Sequence, residues 1–441
     1  MQKSQIIHHP QAQRSIVWTV YISAALITLG LYSLPVIFPA AIGTGYILLY
    51  AALMLLSLLI WQREWLSPKQ VLGLGCLIIL IAYPLPALTS NDAQRYLWDG
   101  AVFLSGFDPY IVAPNSPEAS ELRQIWPTPE EHAAYPTLYP PGALALFGFS
   151  ALAGPAYGQW LWKALATLAA IASLFLIYNL LQRRNALKAL PLTALSPLLL
   201  FETGAGLHLD IFSVLGVSAA LFCIDRKHII LAGVIIGLAA SLKFLPAVMA
   251  GPLLFYLKPA KAIRLFLAAS IIWAAVYLLM FGLGYKPLGL LPTFFEKWRG
   301  GAPLYPLLEA LPLSKKHLPI FLAGLALIGF TLSAYIARKG HIIIAIIIAL
   351  ATPLLLSPIL FPWYLMTFVP LLALRPNITL LLAVSLAPLS YQVLNTWLSK
   401  GLWEPMNWPS ALLLIGLIIG LIFDFKKWRS HAHHMDGINI G

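Results

Sequence analysis

A chain of 441 residues that is 60% hydrophobic and only 10% charged, with a mean hydropathy of +0.83, lacks the polar surface to coat a water-soluble globule. It reads as a polytopic, membrane-embedded protein. The formal charge of +12 raises nucleic acid as a partner, but no basic run is interleaved with aromatics on a polar domain, so membrane orientation is the better account and nucleic acid is discounted. The two cysteines, Cys76 and Cys223, lie in apolar runs without metal-type spacing, which implies neither a disulfide nor a thiolate metal site. The first fourteen residues are polar, and the apolar run from Ser15 is followed at once by another; this predicts a retained first span rather than a cleaved signal peptide.

A helical crossing takes about 20 apolar residues, fewer where neighbours shield the backbone. Candidate spans run about 15 to 37, 40 to 61, 71 to 88, 157 to 181, 189 to 203, 206 to 224, 229 to 242, 244 to 257, 262 to 284, 317 to 337, 341 to 357, 359 to 374, 377 to 396 and 408 to 425. With Gly142 to Gly154 read as a re-entrant or interfacial helix, the expectation is an all-α, single-domain protein (1–441) of about 13 to 15 transmembrane helices. Pro197, Pro246, Pro353 and Pro370 break several runs, and backbone groups freed there need partners inside a bundle or a wet cavity.

Charge sets the orientation. With the N-terminus in the cytoplasm, alternation of the spans puts eighteen of the 28 basic residues inside, from Lys3 to Arg429, and twelve of the 16 acids at or near the outer face, Glu131 among them. The positive-inside rule then predicts cytoplasmic termini in an inner membrane, and extracytoplasmic loops at 88–141, 285–316 and 398–407.

The 88–141 loop carries the densest polar chemistry. In Asn91-Asp92-Ala93-Gln94-Arg95-Tyr96-Leu97-Trp98-Asp99-Gly100, a helix capped by Asn91, with Gln94 reaching back, puts Asp92, Arg95, Tyr96 and Asp99 on one face. The bland alternative is an amphipathic helix on the membrane surface, polar side in water. A second helical piece is expected at about 118 to 126. Gly106-Phe107-Asp108-Pro109-Tyr110 follows the first, and Tyr135 to Gly142, with Tyr139-Pro140-Pro141, returns the chain to the membrane; the Pro-Pro-Gly alone fits a simple turn. Loops this long in compact proteins are usually functional.

Further along, Glu202, His208 and Asp210 flank a Gly-broken junction between two apolar runs, where ionisable groups usually face a wet interior. A solvated hairpin tip is the plain alternative, and a metal site of these three matches no known ligand spacing. Lys243, before Pro246, either snorkels to headgroups or binds an anion. Lys286, Lys297, Arg299, Lys315 and Lys316 form a cationic patch in the 285–316 loop, facing the acidic first loop. Ser357-Pro358 to Pro362-Trp363-Tyr364 puts aromatics at the outer boundary, and Lys163, inside a span, calls for a carboxylate or a cavity.

Taken together, Asp92 to Tyr110, Tyr139-Pro140-Pro141, His208-Leu209-Asp210, Lys243 and Ser357 to Tyr364 resemble the GT-C glycosyltransferases, in particular the polyprenyl-phosphate-mannose-dependent mannosyltransferases of bacteria. The likeness spans about residues 15 to 425. It implies a GT-C-like fold with a long first extracytoplasmic loop, and an inverting transfer of a hexose, most simply mannose, from a lipid-linked donor to a lipid or glycan acceptor. It also implies that Asp92 is the general base. Asn91 stands where many members carry a second acid, which leaves a divalent cation open, and no metal ligand is assigned. The chemistry agrees, because sugar transfer from a lipid phosphate to a hydroxyl needs a carboxylate for the acceptor proton and cations for the leaving phosphate. Lys243, Arg299, Lys297 and His208 are the phosphate candidates. Arg95, Tyr96, Asp99, Tyr110, Tyr139 and Asp210 are expected to bind substrate or organise the loop. A donor dissolved in the bilayer also accounts for the lack of a Gly-rich nucleotide cradle. The alternatives are a secondary transporter of a small or lipid-linked substrate, which should show related halves, and a flippase-like lipid scaffold.

Overall fold

The computed structural model describes residues 10–430 apart from 131, 132, 288, 290 and 315. Lys3, Glu131 and Lys315 of the charge map lie outside the described residues, as does the side chain of Arg429. The fold is all-α. Extended pairing among the described residues is limited to isolated bridges of Gly300 and Gly301 with Ile359. Among the described residues, seven helices are long and apolar enough to cross a bilayer: Arg14–Ile37, Pro39–Arg63, Gly154–Arg183, Pro259–Gly282, His317–Arg338, Ile378–Lys400 and Trp408–Lys427. The other seven apolar runs form shorter or interrupted helices among them.

Local sequence explains where helices begin. Pro68, Pro141, Pro197 and Pro259 open theirs at the first position, where a missing N–H costs nothing. Ser67 and Gln70 close a capping box, Ser67 N–H donating to Gln70 Oε1 at 2.9 Å. Asp424, far along the last helix, takes the N–H groups of Ile378 (3.0 Å) and Thr379 (2.9 Å), so its charge rests on the positive end of a neighbouring helix. Leu26, Leu278, Leu279, Ile320 and Leu327 are exposed, an apolar belt of the kind hydrocarbon covers and water would not. The chain is a multi-pass integral membrane protein.

The run 189–203, expected as one span, is not one helix. It is cut into Leu187–Ala189, Pro191–Ala194, Pro197–Phe201 and a π turn, Glu202–Gly206. Two prolines and two glycines deny it a continuous ladder, and groups from other segments supply the missing partners. Ser57 Oγ donates to Pro191 O (2.8 Å), the Leu88 N–H to Ala205 O (2.8 Å) and Trp162 Nε1 to Leu207 O (2.9 Å). Such backbone is tolerated at membrane depth only inside protein, and this segment lies at the centre of the bundle.

Different contacts close the two ends of the bundle. At one, Arg183 pairs with Asp225 (2.6 Å) and Lys188 with Glu64 (2.6 Å). At the other the three loops meet: the Lys286 N–H donates to Asp108 Oδ2 (3.1 Å), Trp298 packs edge-on against Tyr135 (4.8 Å), Leu360 N–H donates to Gly300 O (2.9 Å), and Phe361 meets Trp403 (6.2 Å).

Candidate active site

The expected helix forms at Asp92–Leu104, and the second piece at Ser120–Ile125. Its cap differs from expectation: the Asn91 side chain makes no capping bond, and Ser90 Oγ instead accepts the Asp92 N–H at 3.0 Å. The surface-helix alternative is overturned, because the polar face points inward. Arg95, Tyr96 and Asp99 are buried, and the Tyr96 ring stacks on Phe147 of Pro141–Ala151 at 4.5 Å. Arg95 Nε donates to Asp99 Oδ1 (2.9 Å), Thr137 Oγ1 to Asp99 Oδ2 (2.7 Å) and Arg95 Nη2 to Tyr135 O (2.8 Å). Asp99 therefore ties the helix to the returning strand of loop. Tyr110 helps, its hydroxyl donating to Tyr139 O (3.1 Å), while Asp108 Oδ1 takes the Tyr110 N–H (2.9 Å). The Pro-Pro-Gly is more than a turn: a Cβ on Gly142 would collide with Ser241, two residues before Lys243.

Asp92, first residue of this helix, meets the broken segment. Its Oδ2 is 3.2 Å from His208 Nδ1 and accepts from the Tyr96 hydroxyl at 3.3 Å. Burial pushes the Tyr96 phenol well above its usual range, so it stays a donor. The other ring nitrogen, His208 Nε2, is 3.3 Å from Glu202 Oε2. Glu202 Oε1 accepts from Tyr46 (2.9 Å) and Tyr391 (2.7 Å). The His208 ring stacks on Trp363 at 3.8 Å. Asp210 turns away to pair with Lys243 at 2.5 Å, and Lys243 Nζ lies 4.3 Å from the centre of the Tyr364 ring. Glu202, His208 and Asp210 do not converge as metal ligands, and no cluster among the described residues does. Exposure sorts the carboxylates: the Asp92 side chain is 22% exposed, against 0% for Glu202 and 2% each for Asp99 and Asp210.

A family model described as alpha-(1->6)-mannopyranosyltransferase, N-terminal domain, matches residues 14–258. The chain belongs to this family. It is a GT-C-like glycosyltransferase of the membrane, and the matched stretch contains Asp92, Glu202, His208, Asp210 and Lys243. No curated protein matches the chain. Family membership sets the transporter and scaffold alternatives aside.

The remaining predicted residues are more dispersed. Arg299 bonds Glu309 (3.0 Å) within its own loop, and Lys297 lies 5.5 Å from the Tyr135 ring centre. Among the described residues, the patch therefore meets the first loop through a backbone N–H and aromatic faces rather than through ion pairs with its acids. Lys163 is satisfied by the Leu85 carbonyl and the Trp160 ring, not by a carboxylate. Sequence reasoning passed over Tyr46, Tyr391 and Thr137. The tyrosines sit in apolar runs where an aromatic reads as filler, and only the buried Glu202, more than 150 positions from either in sequence, signals that hydroxyls must come to it. A cleft of 340 Å³ opens beside the motif, lined by Pro86, Leu88, Ser90, Asn91, Gln94, Gln159 and Trp397 among others.

Proposed function

We propose that the protein transfers mannose from a polyprenyl-phosphate donor to an acceptor hydroxyl at the extracytoplasmic face, by a single inverting displacement with Asp92 as general base. One observation carries this: of Asp92, Asp99, Glu202 and Asp210, the carboxylates held by buried side chains around the broken segment and the motif helix, Asp92 is the one with an open side chain. The acceptor oxygen attacks the anomeric carbon, its proton passes to Asp92, and the bond to the phosphate oxygen breaks. Inversion toward the α linkage in the family description requires a β-linked donor sugar. Lys243, 24% exposed, is the cation best placed to hold the departing phosphate, exchanging part of its bond to Asp210 for charge-assisted bonds to the lipid. Lys297 and Arg299, on the 285–316 loop that meets the first loop, are kept as secondary phosphate contacts. His208, sealed between carboxylates, is withdrawn from the phosphate set. The cleft lined by Gln94, Gln159 and Trp397 suits an acceptor glycan, with amides for hydroxyls and a ring for a sugar face.

The test is transfer from radiolabelled polyprenyl-phosphate mannose in isolated membranes, with products extracted and their linkage analysed. Labelled α-linked mannose that disappears in Asp92→Asn is expected; a wild-type rate in that variant contradicts the assignment. Sidedness is tested separately. Ser120 is exposed, and Ser120→Cys in a background without Cys76 and Cys223 should react with an impermeant thiol reagent in intact cells. Labelling only after permeabilisation would move the site to the cytoplasm.

A further inference from the structure

Glu202 and His208 are among the buried ionisable groups that the transfer chemistry leaves unused. Glu202 and His208 are fully buried, and the backbone that places them is unusual: a π turn over Glu202–Gly206, then Leu207 in the left-handed region at φ 56°, a conformation a bulky residue rarely adopts. Gly206 is required between them, because a Cβ there would strike both the Glu202 carboxylate and the His208 ring. Strain and close approach of this kind gather at functional sites, where surrounding contacts hold them.

We propose that His208 and Glu202 are positioning residues: a doubly protonated His208 ring holds Asp92 ionised and aimed at the acceptor, and Glu202 keeps the ring in that state. This rests on Asp92 being the base. A neutral imidazole has one N–H and would turn a lone pair toward one of the two carboxylates, Asp92 at 3.2 Å from Nδ1 and Glu202 at 3.3 Å from Nε2; the imidazolium hydrogen-bonds Asp92 and faces Glu202 as an ion pair, Nε2 and Oε2 being out of hydrogen-bond alignment and without another partner among the described residues. Glu202 is anchored by phenols from two separate helices, Tyr46 and Tyr391. The ring plane is fixed by Trp363, itself stacked on Phe361 at 4.4 Å. The charged groups facing the ring are Asp92 and Glu202, with Asp210 close by and neutralised by Lys243. Three carboxylates and two cations leave one surplus negative charge, and the exposed carboxylate is Asp92. The arrangement keeps the base ionised as acid is added and limits its rotation, so that its contribution comes from position.

The experiment is the pH dependence of kcat and kcat/KM for donor, using purified full-length His208→Gln beside wild type and Asp92→Asn. Glutamine keeps a donor for Asp92 but removes the charge. The acid limb of the His208→Gln profile should therefore move up by about 1 to 3 pH units, with plateau donor KM within about twofold of wild type. A uniform loss of rate with an unmoved limb, or a wild-type profile, overturns the inference while leaving Asp92 as base, provided Asp92→Asn is silent. Full activity in Asp92→Asn defeats the base assignment instead. Should His208→Gln not fold, ¹⁵N NMR of histidine-labelled wild type reads the ring directly, as the resonance that moves in Asp92→Asn. Double protonation at neutral pH supports the proposal, and a neutral tautomer overturns it.

Discussion

Asp92 and Asp99 stand two turns apart on one face of one helix, and their surroundings differ. Both Asp99 oxygens are committed, one to Arg95 and one to Thr137, in a pocket closed to solvent. Asp92 touches Tyr96 and His208 and stays 22% exposed to solvent. The same residue type therefore serves as a strut in one place and as a reactive group in the other. What separates them is whether the carboxylate is enclosed, not which face of the helix it occupies.

The largest expected effect falls on the strut. Arg95→Met leaves Asp99 charged and buried without its cation, a change that costs about 3 to 5 kcal/mol; it should appear as a large drop in melting temperature and in folded yield. Asp92→Asn, at a partly exposed position where the amide still bonds its neighbours, should cost less, about 0.5 to 1.5 kcal/mol. Equal destabilisation by the two would erase the distinction. Next comes Lys243→Ala. Charge-assisted bonds are worth about 1.5 to 3 kcal/mol, so the apparent donor KM should rise about tenfold or more, whereas Arg299→Ala, whose partner Glu309 lies in its own loop, should change it far less. An unchanged KM in Lys243→Ala would mean that this lysine only balances Asp210.

Gly206→Ala sharpens the comparison from the other side. The added methyl must push Glu202 and His208 apart, at about 1 to 3 kcal/mol for overpacking, and should lower kcat more than it raises donor KM. A fully active, equally stable variant would show that the close approach is incidental. The smallest effect is expected in the cleft. Gln94→Leu and Trp397→Ala should raise acceptor KM a few-fold, about 0.5 to 1.5 kcal/mol for one hydrogen bond or one ring contact, with donor KM unchanged. A change confined to donor KM would instead make the cleft a lipid entrance.

Much of this was legible in the sequence for physical reasons. A polar helix directly after an apolar run is a local pattern, so Asp92–Leu104 and its four-residue face could be read from spacing. The charge map grouped the three loops at one end of the bundle, and they meet there through Lys286 with Asp108 and Gly300 with Leu360. What could not be read was pairing across distance. Lys243 looked isolated because Asp210 lies 33 positions earlier, and His208 looked like a phosphate ligand because nothing local shows that Asp92 and Glu202 flank it. The 189–203 run passed for a span because hydropathy does not register its short helices, whose lost backbone bonds are replaced by Ser57, Trp162 and Leu88 of other segments.

The central claim, that Asp92 is the reactive carboxylate and Asp99 a structural one, is tested most directly by measuring kcat for Asp92→Asn and Asp99→Asn in one preparation, normalised to folded protein. A general base contributes about 10²- to 10⁴-fold, so Asp92→Asn should lose at least that lower factor with its melting temperature lowered only a little, while Asp99→Asn should lose stability first and, per folded molecule, retain most of its rate. An Asp99→Asn protein that is folded but silent, beside an Asp92→Asn protein that turns over normally, would contradict the account.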